Sequence, residues 1–145
     1  MEHIQSRFSL LAIERITIYE NYIRIFAKTK SYPRHCSKCS SSCISKHGAN
    51  NVRYADLPYE NKAVFLDVQK KRFKCKSCSN TFFETIPYTL PFNRMTVFLA
   101  QYIFDRYKTM PFKTLSYLAK VDHKTIRHLM SHLSGDYSTF SEFLS

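Results

Sequence analysis

The chain has 145 residues, 44% of them hydrophobic, which suits one ordinary domain or two small ones. Its 22 Lys and Arg against 11 Asp and Glu give a formal charge of +11, which favours a polyanionic partner such as nucleic acid, although a basic solvated surface would give the same balance. The apolar run from Phe8 to Ile13 is too short for a membrane span or a secretory signal, so we expect a soluble, cytoplasmic protein with no membrane partner.

The first half of the sequence alternates between apolar and polar residues in the manner of β-strands. Residues 14–19 and 22–28 follow this pattern on either side of a two-residue gap, which predicts a β-hairpin. The segment 40–51 is rich in Ser, Gly and Asn and is predicted to be a loop. A small antiparallel sheet would be completed by strands at 52–56, 62–69, 72–75 and 81–85, with 57–62 forming a turn.

Two Cys-x-x-Cys pairs flank these strands, Cys36 with Cys39 and Cys75 with Cys78. Four thiolates in two such pairs can close a tetrahedral zinc site, and the long segment between them must itself fold, as in a zinc ribbon. Disulfides or a thioredoxin-like redox pair are the rival interpretations. Neither pair precedes a helix-like segment, however, and five cysteines without a signal peptide favour a reducing compartment. The pattern predicts one structural Zn²⁺, with Cys43 outside the site.

A basic run leads into the second cysteine pair. Its cations surround Phe73 on a strand that zinc would hold rigid, and we predict that they contact phosphates: Lys70, Lys71, Arg72, Lys74 and Lys76. Affinity for nucleic acid should then fall steeply with salt.

The period of the pattern changes after a segment with two prolines, residues 86–93. Three helices are predicted, at about 94–107, from Pro111 onwards, and from an Asp122 N-cap to a stop at Gly135. The predicted fold class is α+β. Its parts are a zinc-ribbon β domain (1–86), a Pro-containing linker (87–93), a three-helix helix-turn-helix domain (94–134) and a C-terminal tail (135–145).

The second and third predicted helices fit a helix-turn-helix, whose last helix presents its outer face to the DNA major groove. Packing would involve Leu115, Ala119, Val121, Ile126 and Leu129. The outward residues are polar and mostly cationic, and the predicted DNA contacts are His123, Lys124, Thr125, Arg127 and His128. Lys120 stands where such motifs usually place Gly, and a plain three-helix bundle would give a similar pattern.

Groups that could catalyse chemistry on DNA are not evident in the sequence. The 11 acids are scattered rather than paired for divalent metals, and two glycines cannot form a phosphate-cradling loop. We therefore expect no catalytic residue and no enzymatic activity.

These motifs resemble the N-terminal part of insertion-sequence transposases of the ISL-three type. The resemblance covers most of residues 15 to 134, and its β part ends in the Thr81–Pro87 run. The resembling runs are Cys36–Cys39, Arg53–Pro58, Val64–Val68, Lys71–Cys78, Thr81–Pro87 and, for the helix-turn-helix, Ala119–Ile126.

The resemblance implies a bacterial, nucleoid-associated protein that binds double-stranded DNA at the inverted repeats of a mobile element. In such transposases an acidic, metal-dependent catalytic domain follows, and the 11 residues after Ser134 are too few to hold one. The expected protein partner is a second copy, as a homodimer, or a separately encoded catalytic half. Two alternatives stay open. One is single-stranded nucleic acid binding through Phe73 and its cations, and the other is a protein-interaction zinc module whose aromatics are Tyr54, Tyr59, Phe65, Phe73, Phe82 and Phe83.

Overall fold

The structure is a computed structural model and describes residues 2–133. Its strands are β1 (Leu11–Ile18), β2 (Tyr22–Thr29), β3 (Ile44–Tyr59), β4 (Lys62–Cys75) and β5 (Thr81–Phe83). Its helices are α1 (Glu2–Arg7), α2 (Val97–Arg106), α3 (Phe112–Ala119) and α4 (His123–Leu133). The α+β class is confirmed, whereas α1 was not predicted. The proposed stop at Gly135 and the tail 135–145 lie outside the described residues.

The five strands form one sheet in the order β1-β2-β4-β3, with β5 also paired to β4. Three residues join β1 to β2, and only Glu60 and Asn61 join β3 to β4. Such short connections force neighbouring strands to run antiparallel, because a parallel pair needs a crossover of about a dozen residues. Glu60 and Asn61 have φ angles of 48° and 64°, as a two-residue type I′ hairpin turn requires.

The sheet is mixed rather than antiparallel, because β2 and β4 run in the same direction. The Tyr22 and Phe65 rings meet edge to face near the start of both strands, and Thr29 accepts a hydrogen bond from Lys71 towards their ends. A whole strand, β3, separates β2 from β4 in the chain, so the connection is long enough for a parallel neighbour. The segments that follow β2 and β4 therefore start from the same end of the sheet, and each carries a cysteine pair.

Strand β3 corrects two predictions. It includes residues 44–51, which were predicted to be loop, and it continues to Tyr59, so that the turn is two residues long. Ser, Asn and Gly have weak strand propensity, but pairing with the long strand β4 satisfies the backbone of this segment and overrides that preference. Gly48 has a φ of 97°, a conformation that glycine adopts without a steric penalty.

The described residues divide into two compact units. The first comprises the described parts of Met1–Arg15, Phe26–Val52 and Asp67–Pro87, and it contains both cysteine pairs. The second comprises the described parts of Ile16–Ile25, Arg53–Leu66 and Tyr88–Ser145, and it contains helices α2 to α4. None of the helices in residues 2–133 is long and apolar enough to cross a bilayer.

Helices α2 to α4 enclose the hydrophobic core of the second unit. The core residues that contact one another include Leu99, Ile103, Leu115, Ile126 and Leu129, each at most 1% exposed. Thr96 is the N-cap of helix α2, and its hydroxyl accepts the Leu99 N–H. The same hydroxyl donates to the buried carboxylate of Asp56 at 2.7 Å, which fixes the start of α2 to strand β3 within this unit.

A three-residue turn joins α3 to α4, and Lys120 is in the left-handed conformation at its first position, with φ 59° and ψ 36°. The Lys120 N–H donates to the Ser116 carbonyl, and the Ser116 hydroxyl donates to the Val121 carbonyl. The Asp122 carboxylate accepts the Thr125 N–H at 2.7 Å, so the predicted N-cap of α4 is confirmed. Hydrogen bonds from the Thr125 hydroxyl and N–H hold the pKa of Asp122 below its ordinary value.

Lys120→Gly is expected to stabilise the chain by about 0.5–1 kcal/mol, because glycine takes a positive φ without the clash of a Cβ. Lys120→Ala is the matched control. It also removes the ammonium that lies 4.2 Å from the Tyr117 ring centre, but it keeps the Cβ. Urea denaturation of zinc-loaded protein measures both, and equal stabilities for the two variants would contradict backbone strain at this position.

Candidate metal centre and nucleic-acid interface

The four cysteines of the two pairs converge on one point in the first unit. One ligand atom from each of Cys36, Cys39, Cys75 and Cys78 lies within 4.8 Å of all the others. The Cys36 and Cys78 sulfurs are 3.6 Å apart, as are those of Cys39 and Cys75. Sulfurs bound tetrahedrally to zinc at about 2.3 Å would be about 3.8 Å from one another, so the cluster fits a single structural Zn²⁺.

The two cysteine pairs have the same backbone conformation. In each, the N–H of the first cysteine donates to a carbonyl five residues later, Ser41 for Cys36 and Asn80 for Cys75. The residue after the second cysteine is in the left-handed region, with φ 62° at Ser40 and 63° at Ser79. These are two matching knuckles. The repeated Cys-x-x-Cys-Ser run is the sequence signal for the shared left-handed serine.

Polar groups favour the thiolate form that zinc binds at two of the four sulfurs. Hydrogen bonds, chiefly from the Cys39 N–H and also from Lys38, lower the pKa of Cys36 to about 6. The Cys78 N–H is the main cause of a lowered pKa at Cys75. The Ser41 N–H acts in the same direction on Cys39, but hydrogen bonds to the Cys75 and Cys78 sulfurs outweigh it and raise the pKa of Cys39 to about 12. Four adjacent sulfurs therefore need a cation before all can ionise.

Serine and asparagine side chains, for which no sequence motif points to a role, support the centre. The Ser41 and Ser77 hydroxyls are hydrogen-bonded at 2.8 Å and link the two knuckles. The Asn80 amide approaches the Cys36 sulfur at 3.8 Å. Cys43 is exposed and does not belong to the cluster, although its carbonyl accepts the Lys76 N–H at 2.8 Å. Within residues 2–133, these four cysteines are the single group of three or more potential metal ligands that lies close enough to hold an ion.

The basic run on β4 divides between the two faces of the strand. Lys70 and Arg72 are partly exposed and Lys74 is exposed, so three cations at alternate positions lie on one face of β4, and the exposed Lys76 follows them in the knuckle. Lys71 lies on the other face with Phe73 and Cys75, and it is 9% exposed. Of the five cations that the sequence predicts to contact phosphates, four are therefore accessible in a row and Lys71 is buried.

Lys71 takes part in a buried network instead. Its ammonium donates to the Thr29 hydroxyl at 2.9 Å and lies 3.9 Å from a Glu84 carboxylate oxygen. The Thr29 hydroxyl donates to the other Glu84 oxygen at 2.7 Å, and the Lys71 N–H donates to Glu84 at 2.9 Å. The network joins β2, β4 and the residue after β5 in the unit that contains the cysteine pairs. The Glu84 carboxylate compensates the charge of Lys71 inside the protein. Lys71 is therefore not among the phosphate contacts that we propose.

Helix α4 has one buried and one cationic face. Ile126, Leu129 and Leu133 are fully buried, and the packing predicted for Leu115 and Ala119 is confirmed. On the opposite side His123, Lys124, Arg127 and His128 are exposed, while Thr125 is partly buried. These exposed side chains are at the start of the helix and in its second turn.

An aromatic contact orients the central cation of this face. The Arg127 guanidinium carbon lies 5.8 Å from the centre of the Phe112 ring, and His123 is tilted against the same ring at 5.8 Å. Tyr107 packs perpendicular to Phe112 at 5.5 Å. Further along α4, His132 stacks on Phe92 at 4.6 Å, and its Nδ1 lies 3.0 Å from the His128 carbonyl. The His132 ring thus has two partners within the protein, the Phe92 ring and the His128 carbonyl.

The aromatics of the β part are mostly inaccessible. Of the six proposed to dock a protein partner, Tyr54 and Phe73 are buried, three are partly exposed and only Phe83 is exposed. Phe73 is 3% exposed and packs between Tyr32 and Phe82. Phe73 therefore cannot stack on an unpaired base. The other five aromatic residues do not form a continuous exposed surface on which a protein could dock.

Two knuckles that bring four cysteines together beside a small sheet define a zinc ribbon. The family model for the zinc finger of transposase IS204/IS1001/IS1096/IS1165 matches residues 32–78, a segment that includes both knuckles. Residues 32–78 are therefore similar to the zinc ribbon of these transposases, as the sequence resemblance implied. The match concerns a zinc ribbon and includes no catalytic domain. No curated protein and no solved structure matches the chain.

Proposed function

We propose that the chain is a zinc-dependent, double-stranded DNA-binding protein equivalent to the end-recognition part of a transposase, and that it acts without catalysis of its own. The observation that carries the proposal is the outward face of α4. Four basic or imidazole side chains are exposed there, directly opposite residues that are fully buried in the helical core. A rigid helix with one cationic face is what a major groove accepts.

Helices α2 to α4 then act as a helix-turn-helix. The three-residue turn from Lys120 to Asp122 has the length typical of this motif, and α3 and α4 pack on one core with α2. Lys120 supplies the left-handed conformation that glycine usually supplies there. In this proposal α4 is the recognition helix, and the predicted DNA contacts are His123, Lys124, Thr125, Arg127 and His128.

The zinc ribbon has a supporting role in the same proposal. Four cysteines hold the zinc and fix the end of β4, where Lys74 and Lys76 are exposed on the strand and knuckle. Together with Lys70 and Arg72 they form a row that suits phosphate contacts, which add affinity but no sequence preference. The similarity to transposase zinc fingers makes the inverted repeats of a mobile element the proposed target, with a second copy or a catalytic half as the proposed protein partner.

Fluorescence anisotropy of the zinc-loaded full chain tests this function. We expect it to bind a duplex more tightly than either single strand, with an affinity that falls steeply between about 50 and 200 mM salt. Arg127→Ala should weaken duplex binding by about 5- to 150-fold, because a side chain that reaches base edges is lost.

The charge-matched control is Lys108→Ala, which removes one exposed cation from the turn between α2 and α3. It should weaken binding much less than Arg127→Ala. If the chain bound no duplex at about 50 mM salt, the proposal would be wrong, and a retained protein partner would then support the interaction module. Equal losses for both variants would remove α4 as the recognition helix.

A further inference from the structure

We infer that α4 selects duplexes that offer two guanines to the helix, one to Lys124 and one to Arg127, within adjacent or next-but-one base pairs. The inference rests on the proposed function and adds the chemical class of the target. It follows from the hydrogen-bonding groups that the described part of α4 presents and from those that it lacks.

The exposed face of α4 is rich in hydrogen-bond donors, chiefly those of Lys124 and Arg127. Lys and Arg carry N–H groups and no acceptor. Guanine presents two acceptors, N7 and O6, in the major groove, and a bidentate Arg or Lys is the pairing that fits them. The first two turns of α4 place Lys124 and Arg127 on this face.

The groups that read other bases are missing from the helix. Asn or Gln is needed for bidentate contact with adenine, and Asp or Glu accepts from cytosine. Helix α4, with the sequence HKTIRHLMSHL, contains none of these four residue types. The nearest carboxylate, Asp122, is held as the N-cap by the Thr125 N–H and hydroxyl.

The two hydroxyl side chains of α4 are less available than its cations. The Ser131 hydroxyl donates to the His128 carbonyl at 2.8 Å, and Thr125 is partly buried. Of the exposed side chains of α4, Lys124 and Arg127 are the two that can form a bidentate contact with guanine, whereas an imidazole forms a single hydrogen bond, so Lys124 and Arg127 are the readers.

The spacing and support of the two readers set the expected geometry. A separation of three residues corresponds to about 4.5 Å along a helix, against about 3.4 Å between base pairs, so the two side chains reach different base pairs. The Phe112 ring supports the guanidinium of Arg127 from one face. A guanidinium packed beside an aromatic ring keeps its N–H donors available for a bidentate contact.

Selection of bound duplexes from a randomised library, using the zinc-loaded full chain, tests the inference. The enriched core should contain two guanines within three base pairs. Changing either guanine to adenine should lower affinity by about 5- to 150-fold. Replacing guanine by 7-deazaguanine, which pairs normally but lacks the N7 acceptor, should also weaken binding at those positions.

Variants identify which residue reads which base. Arg127→Gln should switch the preference at one position from guanine to adenine, a gain that a misfolded protein cannot produce. Lys124→Ala should relax the other position alone, and Lys108→Ala should preserve both preferences. A selected core without guanine, or affinity unchanged by 7-deazaguanine at both positions, would overturn the inference while leaving duplex binding intact. Failure to bind any duplex would instead contradict the proposed function itself, and with it this inference.

Discussion

Cys75→Ser is expected to bring zinc well below one ion per chain and to unfold the first unit at temperatures where the parent chain is folded. Cys75 is fully buried, and its sulfur is 3.6 Å from that of Cys39. Structural zinc contributes about 10–16 kcal/mol to the folding of small zinc fingers, which matches or exceeds the whole stability of an ordinary domain at about 5–15 kcal/mol. Metal analysis and thermal unfolding with and without a chelator measure the effect.

Cys43→Ser is the matched control for this prediction, because Cys43 is exposed and lies outside the cluster. It should retain one zinc per chain and the parent unfolding temperature. If Cys75→Ser retained one tightly bound zinc, or if Cys43→Ser lost it, the assignment of the four ligands would be wrong.

Glu84→Ala should destabilise the zinc-loaded chain by about 3–5 kcal/mol, since it leaves the ammonium of Lys71 buried without its counter-charge. The Glu84 and Lys71 side chains are 2% and 11% exposed, and Glu84 also accepts hydrogen bonds from the Thr29 hydroxyl and the Lys71 N–H. Urea denaturation measures the change in the free energy of unfolding.

Glu14→Ala is the matched control, because it removes an ion pair that is exposed to solvent. The Glu14 and Lys28 side chains are 3.1 Å apart but 54% and 46% exposed, so their separation should cost only about 0–1 kcal/mol. Similar losses for Glu14→Ala and Glu84→Ala would mean that the buried network contributes no more than a surface pair.

Burial along β4 illustrates what a strand pattern leaves open. Val64, Leu66 and Val68 are buried at even positions, whereas Lys71, Phe73 and Cys75 are buried at odd positions. A strict alternation carried forward from Val64 would turn Lys70 inward and Lys71 outward. The buried face therefore switches from even-numbered to odd-numbered residues between Val68 and Lys71. The contacts of the strand in the folded protein determine where this switch occurs. For this reason the sequence could not separate the buried lysine from the exposed row.

The extension of β3 through residues 44–51 has a similar origin. Its Ser, Asn and Gly residues favour turns locally, and their strand conformation comes from a ladder with residues that are distant in the chain. The parallel arrangement of β2 and β4 is also a long-range choice, made once β3 has been placed. Neither feature leaves a local signal that could be read in advance.

The sequence by itself determined the four metal ligands and the helices α2 to α4, because both depend on local spacing. Two Cys-x-x-Cys pairs specify four thiolates, and a 3.6-residue period specifies which side of α2, α3 and α4 is apolar. The tertiary structure decided that the two knuckles meet at one point, that Lys71 neutralises Glu84 in the interior, and that Phe112 lies beside Arg127. Those arrangements depend on contacts between residues far apart in the chain, which hydrophobic patterning does not encode.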